Sequence, residues 1–339
     1  MTLPPGKIPI RILKDIVFKH LGATRKEVIL GPTAGIDGAV LDMGDESLIV
    51  SMDPITGAVE RIGWLAVNVN ANDIATFGVK PTFLFSSILL PENSDKKIVE
   101  SICQQMDEAT KELGIAIVGG HCESTLGLTC PIVVCCIMGM TEKKQYVTAG
   151  GAKPNDKLIL TKSAGIEGTA ILASDKELEL KKTIPAVTLE KAKNFYSQIS
   201  VVKEAMIAFR TGGVHAMHDP TEGGVLLGIH EMADASGLGV KIFKREISVQ
   251  AETKEICRYF GINPLKLISS GALLISAGEE STHTILKKLK KEGIQGSVIG
   301  EFLEDKKQRL FVSEKGKSQK LSRPLSDHLW KALCRQEAT

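Results

Sequence analysis

Aromatic residues make up only 4 % of the chain, too few for the stacking platform that single-stranded nucleic acids need. Neither sign of charge is in real excess. The balance of 42 Lys+Arg against 40 Asp+Glu leaves a formal charge of +2, so no long-range field draws in nucleic acid or an anionic membrane. The seven cysteines are odd in number and include no C-x-x-C pair, which excludes a disulfide framework or zinc site and fits a reducing cytosol. The longest apolar run, residues 132–138, is too short to span a bilayer, and the first residues lack a basic-then-apolar leader pattern. A soluble, cytoplasmic protein is expected. Neither a G-x-x-x-x-G-K-S/T loop nor a G-x-G-x-x-G fingerprint occurs, so a bound nucleotide would be held by neither of the common glycine-loop folds. Internal repeats and low-complexity segments are also missing.

What is present is a chain of 339 residues, enough for roughly two domains, with 43 % apolar residues to fill their cores. Apolar spacing predicts an amphipathic helix over residues 9–21 and strands over 38–41 and 48–53. A helix over 62–77 closes at Gly78, with Pro81 just beyond. A strand over 82–90 precedes a second long helix, 94–113, opened by Ser94 or Asp95 and stopped by Gly114. Residues 115–118 and 131–140 read as further strands, with Cys135 and Cys136 on opposite faces. The turn-rich stretch 148–156 reads as a boundary. Beyond it the pattern predicts a strand over 157–161 and a helix near Glu167. Long helices follow over 189–210 and 220–236, then strands near 272–276, 297–300 and 309–312. Residues 281–292 form a basic amphipathic helix, and 314–327 read as a loop. The expected architecture is therefore α/β, with one domain over 1–148, a second over 149–330, and a tail over 331–339.

One charge stands out. Asp73 lies on a helix that is apolar nearly all round, with Ile62, Ala66, Val69 and Phe77 on its own side and Trp64, Ala71 and Ala75 on the other. Such a helix is buried, and a carboxylate on it needs a cation, a metal or several donors. Asn68, Asn70 and Asn72 lie within about a turn, which makes a buried polar site. Asp37 lies between Ile36 and Gly38, and Asp53 ends a strand before Pro54. Taken singly, Asp37 reads as a turn residue and Asp53 as a cap; taken together, three aspartates from separate elements suit Mg²⁺, which prefers a few carboxylates plus phosphate oxygens. Gly119-Gly-His-Cys-Glu123 follows a short strand, and a double glycine there is able to wrap an anion, with His121 on phosphate and Glu123 on metal. An ordinary turn and a core histidine are the alternatives. His218-Asp-Pro-Thr-Glu-Gly-Gly-Val225 reads as a helix start, with Asp219 as N-cap, Pro220 first in the helix and Glu222 closing a capping box. Gly223 and Gly224 are not explained by that cap; close approach of another element or a phosphate would explain them. His215 and His218 have metal-like spacing without a third ligand and read as structural.

In this order, the segments 35–40, Met52-Asp-Pro54, 72–81, 119–123 and 219–224 resemble the aminoimidazole ribonucleotide synthetase superfamily, with its PurM-like fold. The Asp-Pro-Thr-x-Gly-Gly segment is most similar to the hydrogenase expression/formation (HypE) branch. The resemblance implies two α/β domains, a homodimer built on a β-barrel of first-domain strands, and ATP with Mg²⁺ near the dimer interface. It puts metal roles on Asp37, Asp53, Asp73 and Asp219, with Asp73 catalytic. It puts nucleotide contacts on Lys7, Asp37, Asp53, Asn72, Asp73, Gly119, Gly120, His121 and Glu123. It also implies maturation proteins as partners, and neither nucleic acid nor membrane.

This chain departs from the HypE pattern in three places. The branch's Arg in Asp-Pro-Thr-Arg-Gly-Gly is Glu222, its later glutamate is Ser270, and its Pro-Arg-Ile-Cys tail is replaced by an end in which Cys334 is followed by five residues. The leading expectation is an ATP-dependent enzyme that activates an amide- or carbonyl-type oxygen as a phosphate ester. The alternatives are a small-molecule kinase of the thiamine-monophosphate kinase type and a non-catalytic nucleotide-binding partner in a maturation complex.

Overall fold

The computed structural model describes Leu3 and residues 6–334; residues 335–339 of the expected tail lie outside it. The first half builds a sheet from β1 (Val28–Leu30), β2 (Ala39–Asp42), β3 (Glu46–Ile55), β4 (Phe83–Pro91), β5 (Ala116–Thr125) and β6 (Ile132–Glu142). Their order is β1-β2-β3-β6-β4-β5, antiparallel except for the parallel pair β4 and β5. The helices of this half are α1 (Ile10–Asp15), α2 (Ile62–Thr76) and α3 (Lys96–Leu113). Strand alternation gives this sheet two unlike faces. Ser47, Ile49 and Ser51 of β3 and Val133, Cys135 and Ile137 of β6 turn inward toward α2.

The second half holds β7 (Lys157–Thr161), α4 (Ile166–Asp175), α5 (Glu177–Leu180), α6 (Ala186–Lys193), α7 (Val202–Thr211), β8 (Val214–His218), α8 (Gly224–Ala235), β9 (Gly239–Phe243), α9 (Ala251–Phe260), β10 (Leu274–Ala277), α10 (Glu279–Lys291), β11 (Gly296–Leu303), β12 (Arg309–Val312), β13 (Ser318–Lys320) and α11 (His328–Leu333). Its sheet runs β13-β12-β9-β11-β7-β10-β8 and is covered on both faces. Leu158 and Leu160 of β7 enter one apolar cluster, while Ile159 enters another that also contains the first-half core. A continuous apolar run is what a strand buried on both sides requires.

Helix α2 is the hinge of this arrangement. Fourteen of its residues are buried, as its all-round apolar sequence requires. Gly63 lets α3 approach it: a Cβ there would sit 2.5 Å from the Ile102 carbonyl oxygen. Helix α3 follows expectation, with Asp95 accepting from Lys97 N and Gly114 left-handed at φ 69°.

Other expectations fail for identifiable reasons. The helix expected over 9–21 is only α1 plus a 3-10 turn, Val17–Lys19, because Ile16, Val17 and Leu21 stay exposed and find no core. The helix expected over 189–210 is two helices, α6 and α7, parted by a 3-10 stretch, Asn194–Gln198. The break is held from outside. Asn72 Nδ2 donates to Ile199 O at 2.9 Å, and Val201 N donates to Asn72 Oδ1 at 2.8 Å. Lys162 Nζ donates to the carbonyls of Gln198 and Ser200. The loop expected over 314–327 contains the edge strand β13. No helix among the described residues is long and apolar enough to cross a membrane.

Asn72 thus ties α2 to the second half through two buried backbone groups. Replacing it (Asn72→Ala) leaves a buried N–H and a buried C=O unsatisfied, and is expected to cost about 2–4 kcal/mol of stability. Urea unfolding of the two proteins, compared at constant slope, checks this.

Candidate active site

The four aspartates singled out by sequence converge at the contact between the two halves, but the centre of the group is not where sequence placed it. Oxygen atoms of Asp37 and Asp219 and a ring nitrogen of His218 all lie within 4.8 Å of one another. Asp37 comes from the turn before β2, His218 ends β8, and Asp219 follows it. Asp53 and Asp73 stand around this group and interact with it through their charges.

Each aspartate is held by its own element. Asn70 fixes the backbone of Asp53 from α2, accepting from Asp53 N at 2.9 Å and donating to Asp53 O at 3.2 Å. Asp73 Oδ2 is 2.8 Å from Ser51 Oγ, and Ser51 Oγ also reaches the carbonyl of Asp37. One hydroxyl carries one proton. When Ser51 gives it to Asp37 O, a protonated Asp73 supplies the other hydrogen bond. Burial first, and then Asp53, Asp219 and Asp37, raise the Asp73 carboxyl well above the ordinary range, which suits that neutral form.

His218 is the largest revision. Sequence marked it as structural. It is 0 % exposed, with Nδ1 at 2.5 Å from Asp37 Oδ2 and Nε2 at 3.0 Å from Glu231 Oε2. Both partners are acceptors, so both ring nitrogens donate and the ring is an imidazolium. Burial opposes that charge, but Asp37 and Glu231 outweigh it and push the pKa up to about 10. Only the fold reveals this role, because Asp37 and His218 are 181 residues apart.

Lys7 is the second cation of the group. The residue is exposed as a whole, yet its ammonium lies among carboxylates and 3.3 Å from Thr221 Oγ1. Desolvation works against its charge, and Glu231, Asp37, Asp53 and Glu222 more than offset it, so its pKa lies above the ordinary lysine value. Its backbone N–H donates to Glu222 Oε2 at 2.5 Å.

These two cations do not neutralise the group. Asp219 is 0 % exposed, and neither of its carboxylate oxygens has a hydrogen-bond partner. Burial, followed by Asp37, pushes its pKa up to about 8 against the pull of His218 and Lys7. Burial also lifts Asp53 to about 6, with Asp37 and Glu222 adding to it and Lys7 opposing. An unpartnered buried carboxylate beside two others is the donor set of a hard divalent cation, so the residues present fit Mg²⁺.

Several sequence expectations are corrected. Asp219 is not an N-cap, Pro220 is not helical, and Glu222 closes no capping box, because α8 begins at Gly224. Glu222 instead accepts from Lys7 N and from Trp330 Nε1, the latter at 2.9 Å. The double glycine is explained by crowding: a Cβ on Gly224 would meet Leu267 O at 2.5 Å. The Gly223 N–H at this helix start is already taken by Asp327 at 2.6 Å. Asn72 does not face the group, since its amide is committed to residues 199 and 201.

Gly119 and Gly120 form no anion-wrapping turn. They lie inside β5, where a Cβ on Gly120 would strike Ser86 O of the paired strand. β5 is an exposed edge, not a buried strand, and β6 and β4 separate it from β3. Within one chain, His121 and Glu123 are therefore not brought to the aspartates; they pair with each other at 3.0 Å on the surface. His215, the other histidine of the sequence pair, bonds Asp156 and is structural as expected.

A cavity of about 390 Å³ opens beside Asp53 and Lys7 and runs to Glu167, Ser270 and Trp330. Sequence reasoning passed over Glu167 as a residue near a helix start. Its signal was a glutamate inside an otherwise apolar helical turn, the same signal that exposed Asp73.

Known proteins share this arrangement of halves. Residues 35–141 match the N-terminal domain of AIR synthase related protein, and residues 153–313 match its C-terminal domain. A hydrogenase expression/formation protein of Methanocaldococcus jannaschii is 26 % identical over 304 residues, covering 87 % of this chain and 88 % of that protein. Carbamoyl dehydratase HypE of Cupriavidus necator is 27 % identical over 273 residues, covering 79 % and 74 %. Among solved structures, a HypE–HypF complex superimposes with a TM-score of 0.76 at 22 % identity over 92 % of this chain and 99 % of that one. Hydrogenase maturation protein HypE in complex with ATP does so with a TM-score of 0.73 at 21 % identity, over 97 % and 98 %. With both family domains matched in order across most of its length, the chain belongs to the AIR synthase related protein family.

Proposed function

We propose that the chain is an ATP- and Mg²⁺-dependent enzyme of the carbamoyl-dehydratase kind, which phosphorylates an amide- or carbonyl-type oxygen and so makes it a leaving group. The observation that carries this reading is the buried, unpartnered Asp219 beside Asp37 and His218. A relative of the same fold solved with ATP supports it. Asp37, Asp53, Asp73 and Asp219 would hold Mg²⁺, which would supply positive charge to offset that of the phosphates. Lys7 adds a fixed positive charge for phosphate. His218 orients Asp37, and it orients Glu231 and keeps it ionised. Asn70 and Ser51 hold Asp53 and Asp73 in place without being consumed.

The two family domains are read as units over 1–148 and 149–330, with the site at their junction. The active form is read as a homodimer. The outward face of the first sheet is apolar and uncovered in one copy: Val50, Met138 and Phe83 form one cross-strand row, and Met52, Cys136 and Phe85 the next. Met52, Phe83 and Phe85 are exposed at 63 %, 43 % and 42 %, more than single scattered apolar residues explain. A second copy closing this face would satisfy it. Gly119, Gly120, His121 and Glu123 lie on the edge strand of the same sheet. Their nucleotide contact is proposed to be made at the seam between copies. By its relatives the enzyme works with other maturation proteins, such as the HypF found with HypE.

ATP hydrolysis tests the reading directly. Asp73→Asn and Asp219→Asn are each expected to lower turnover at least ~100-fold, measured as phosphate release. Unchanged turnover in Asp73→Asn removes that residue from the site. Free phosphate as product supports dehydration, whereas a stable phosphorylated metabolite indicates a kinase.

Mg²⁺ should also act on stability in a pH-dependent way. The folded-state pKa values of Asp53 and Asp219, about 6 and about 8, lie above the unfolded aspartate value. The metal-free fold therefore binds more protons than the unfolded chain, and loses stability as pH rises through that window. Mg²⁺ replaces those protons. The rise in Tm on adding MgCl₂ is expected to be larger at about pH 8.5 than at about pH 5.5, and to disappear in Asp219→Asn. A rise that is independent of pH contradicts the assignment.

Phe85→Asp places a charge in the apolar row of the sheet face, and is expected to give a monomer by light scattering with the fold retained by circular dichroism.

A further inference from the structure

The cavity beside Asp53 holds a polar floor that the phosphate chemistry leaves unused. Glu167 lies in the first turn of α4, only 3 % exposed, and its Oε2 has no hydrogen-bond partner. Ser270 lines the same cavity at 0 % exposure, with its Oγ also unpartnered. Ser270 faces the Glu167 carboxyl with its hydroxyl and its backbone N–H, which favour the charge, while Glu167 Oε2 and Ser270 Oγ have no hydrogen-bond partner. Ile171, Ile268 and Trp330 give the cavity apolar wall, with Trp330 pinned by its bond to Glu222. Asp53 and Lys7 line the same space.

An open carboxylate oxygen beside an open hydroxyl calls for a ligand that donates through nitrogen or oxygen. Asp53, Glu167 and Glu222 outnumber Lys7 in the lining, which disfavours an anion. Space of about 390 Å³ suits a small group, with its far end toward the proposed metal and phosphates. We infer that Glu167 is the proton-accepting residue of the acceptor pocket, binding the N–H of a primary amide whose oxygen points toward Asp53 and Lys7. This inference rests on the proposed oxygen-phosphorylating activity.

The step balances as follows. The amide oxygen attacks the γ-phosphorus of ATP, forming an O–P bond. The bond from that phosphorus to the β-bridging oxygen breaks, and ADP leaves. One amide N–H proton passes to the Glu167 carboxylate, leaving a neutral C=N bond in the phosphorylated imidate. Burial, with help from Asp327 and Glu222 and against Ser270, sets the Glu167 pKa at about 7, a value suited to taking and returning a proton near neutrality. The departure at Ser270 acquires a reason here. A glutamate at this position would stand against Glu167 as a second buried carboxylate, and a serine leaves Glu167 as the single base of the floor.

The test uses the full chain with MgATP and acetamide as the probe. In wild type, acetamide is expected to bind in the presence of AMPPCP, seen by ligand-observed NMR, and to speed ADP release. Glu167→Gln is expected to lower the acetamide-dependent kcat at least ~100-fold, with MgATP affinity essentially unchanged. Glu167→Asp keeps the carboxylate and is expected to retain part of the rate. Retention of the full rate in Glu167→Gln overturns the role, as does loss of MgATP binding in that variant. Failure of acetamide to bind wild type overturns the amide assignment. Failure of wild type to bind MgATP overturns the activity itself, and is thereby distinguished from failure of this inference.

Discussion

Excess negative charge, buried at the junction of the two halves, is the constraint around which the site is organised. Asp37, Asp53, Asp73, Asp219 and Glu231 meet there, and Lys7 and His218 are the cations among them. Bringing carboxylates this close out of water is unfavourable unless protons or a cation compensate. The metal-free fold compensates with protons, which is why Asp53, Asp73 and Asp219 are raised together. The proposed Mg²⁺ would compensate with charge. The same strain that weakens the empty fold would thus become affinity for the proposed metal and its phosphates.

Helix α2 makes the arrangement possible. Its buried polar residues divide the work: Asn70 holds the Asp53 backbone, Asn72 holds the break between α6 and α7, and Asp73 completes the charged group through Ser51. A helix that lies in the core can reach β3 on one side and the second half on the other. Its polar side chains are affordable because nearly every one has a backbone partner. The proposed acceptor pocket obeys the opposite logic. There, Glu167 and Ser270 are left without partners, and openness to a ligand is what remains.

Much of this was legible from local pattern. The strands of the first sheet, the capped helix α3, the buried character of α2 and the burial of Asp73 all follow from periodicity, glycine stops and misplaced charge. The failures share one cause, which is that the deciding contact is distant in sequence. Residues 189–210 have helical spacing throughout, and the Asn72 amide, more than a hundred residues away, breaks them together with Lys162. Gly224 looked like a phosphate position, and it is in fact a place where the Leu267 backbone comes too close for a side chain. Gly119 and Gly120 looked like a loop, because a short apolar run gave no sign that the strand continues past them as an exposed edge.

By itself, the sequence determined which groups had to be compensated. A carboxylate on an apolar helix, Asp73, carries that demand wherever the chain puts it, because burial of such a charge follows from residue type and local pattern. Only the tertiary structure decided how the demand is met. It placed His218 between Asp37 and Glu231, turned Asn72 away to a distant backbone, set His121 and Glu123 on an open edge, and opened a pocket over Glu167. Those outcomes depend on angles and distances between elements far apart in the chain, which no local pattern encodes.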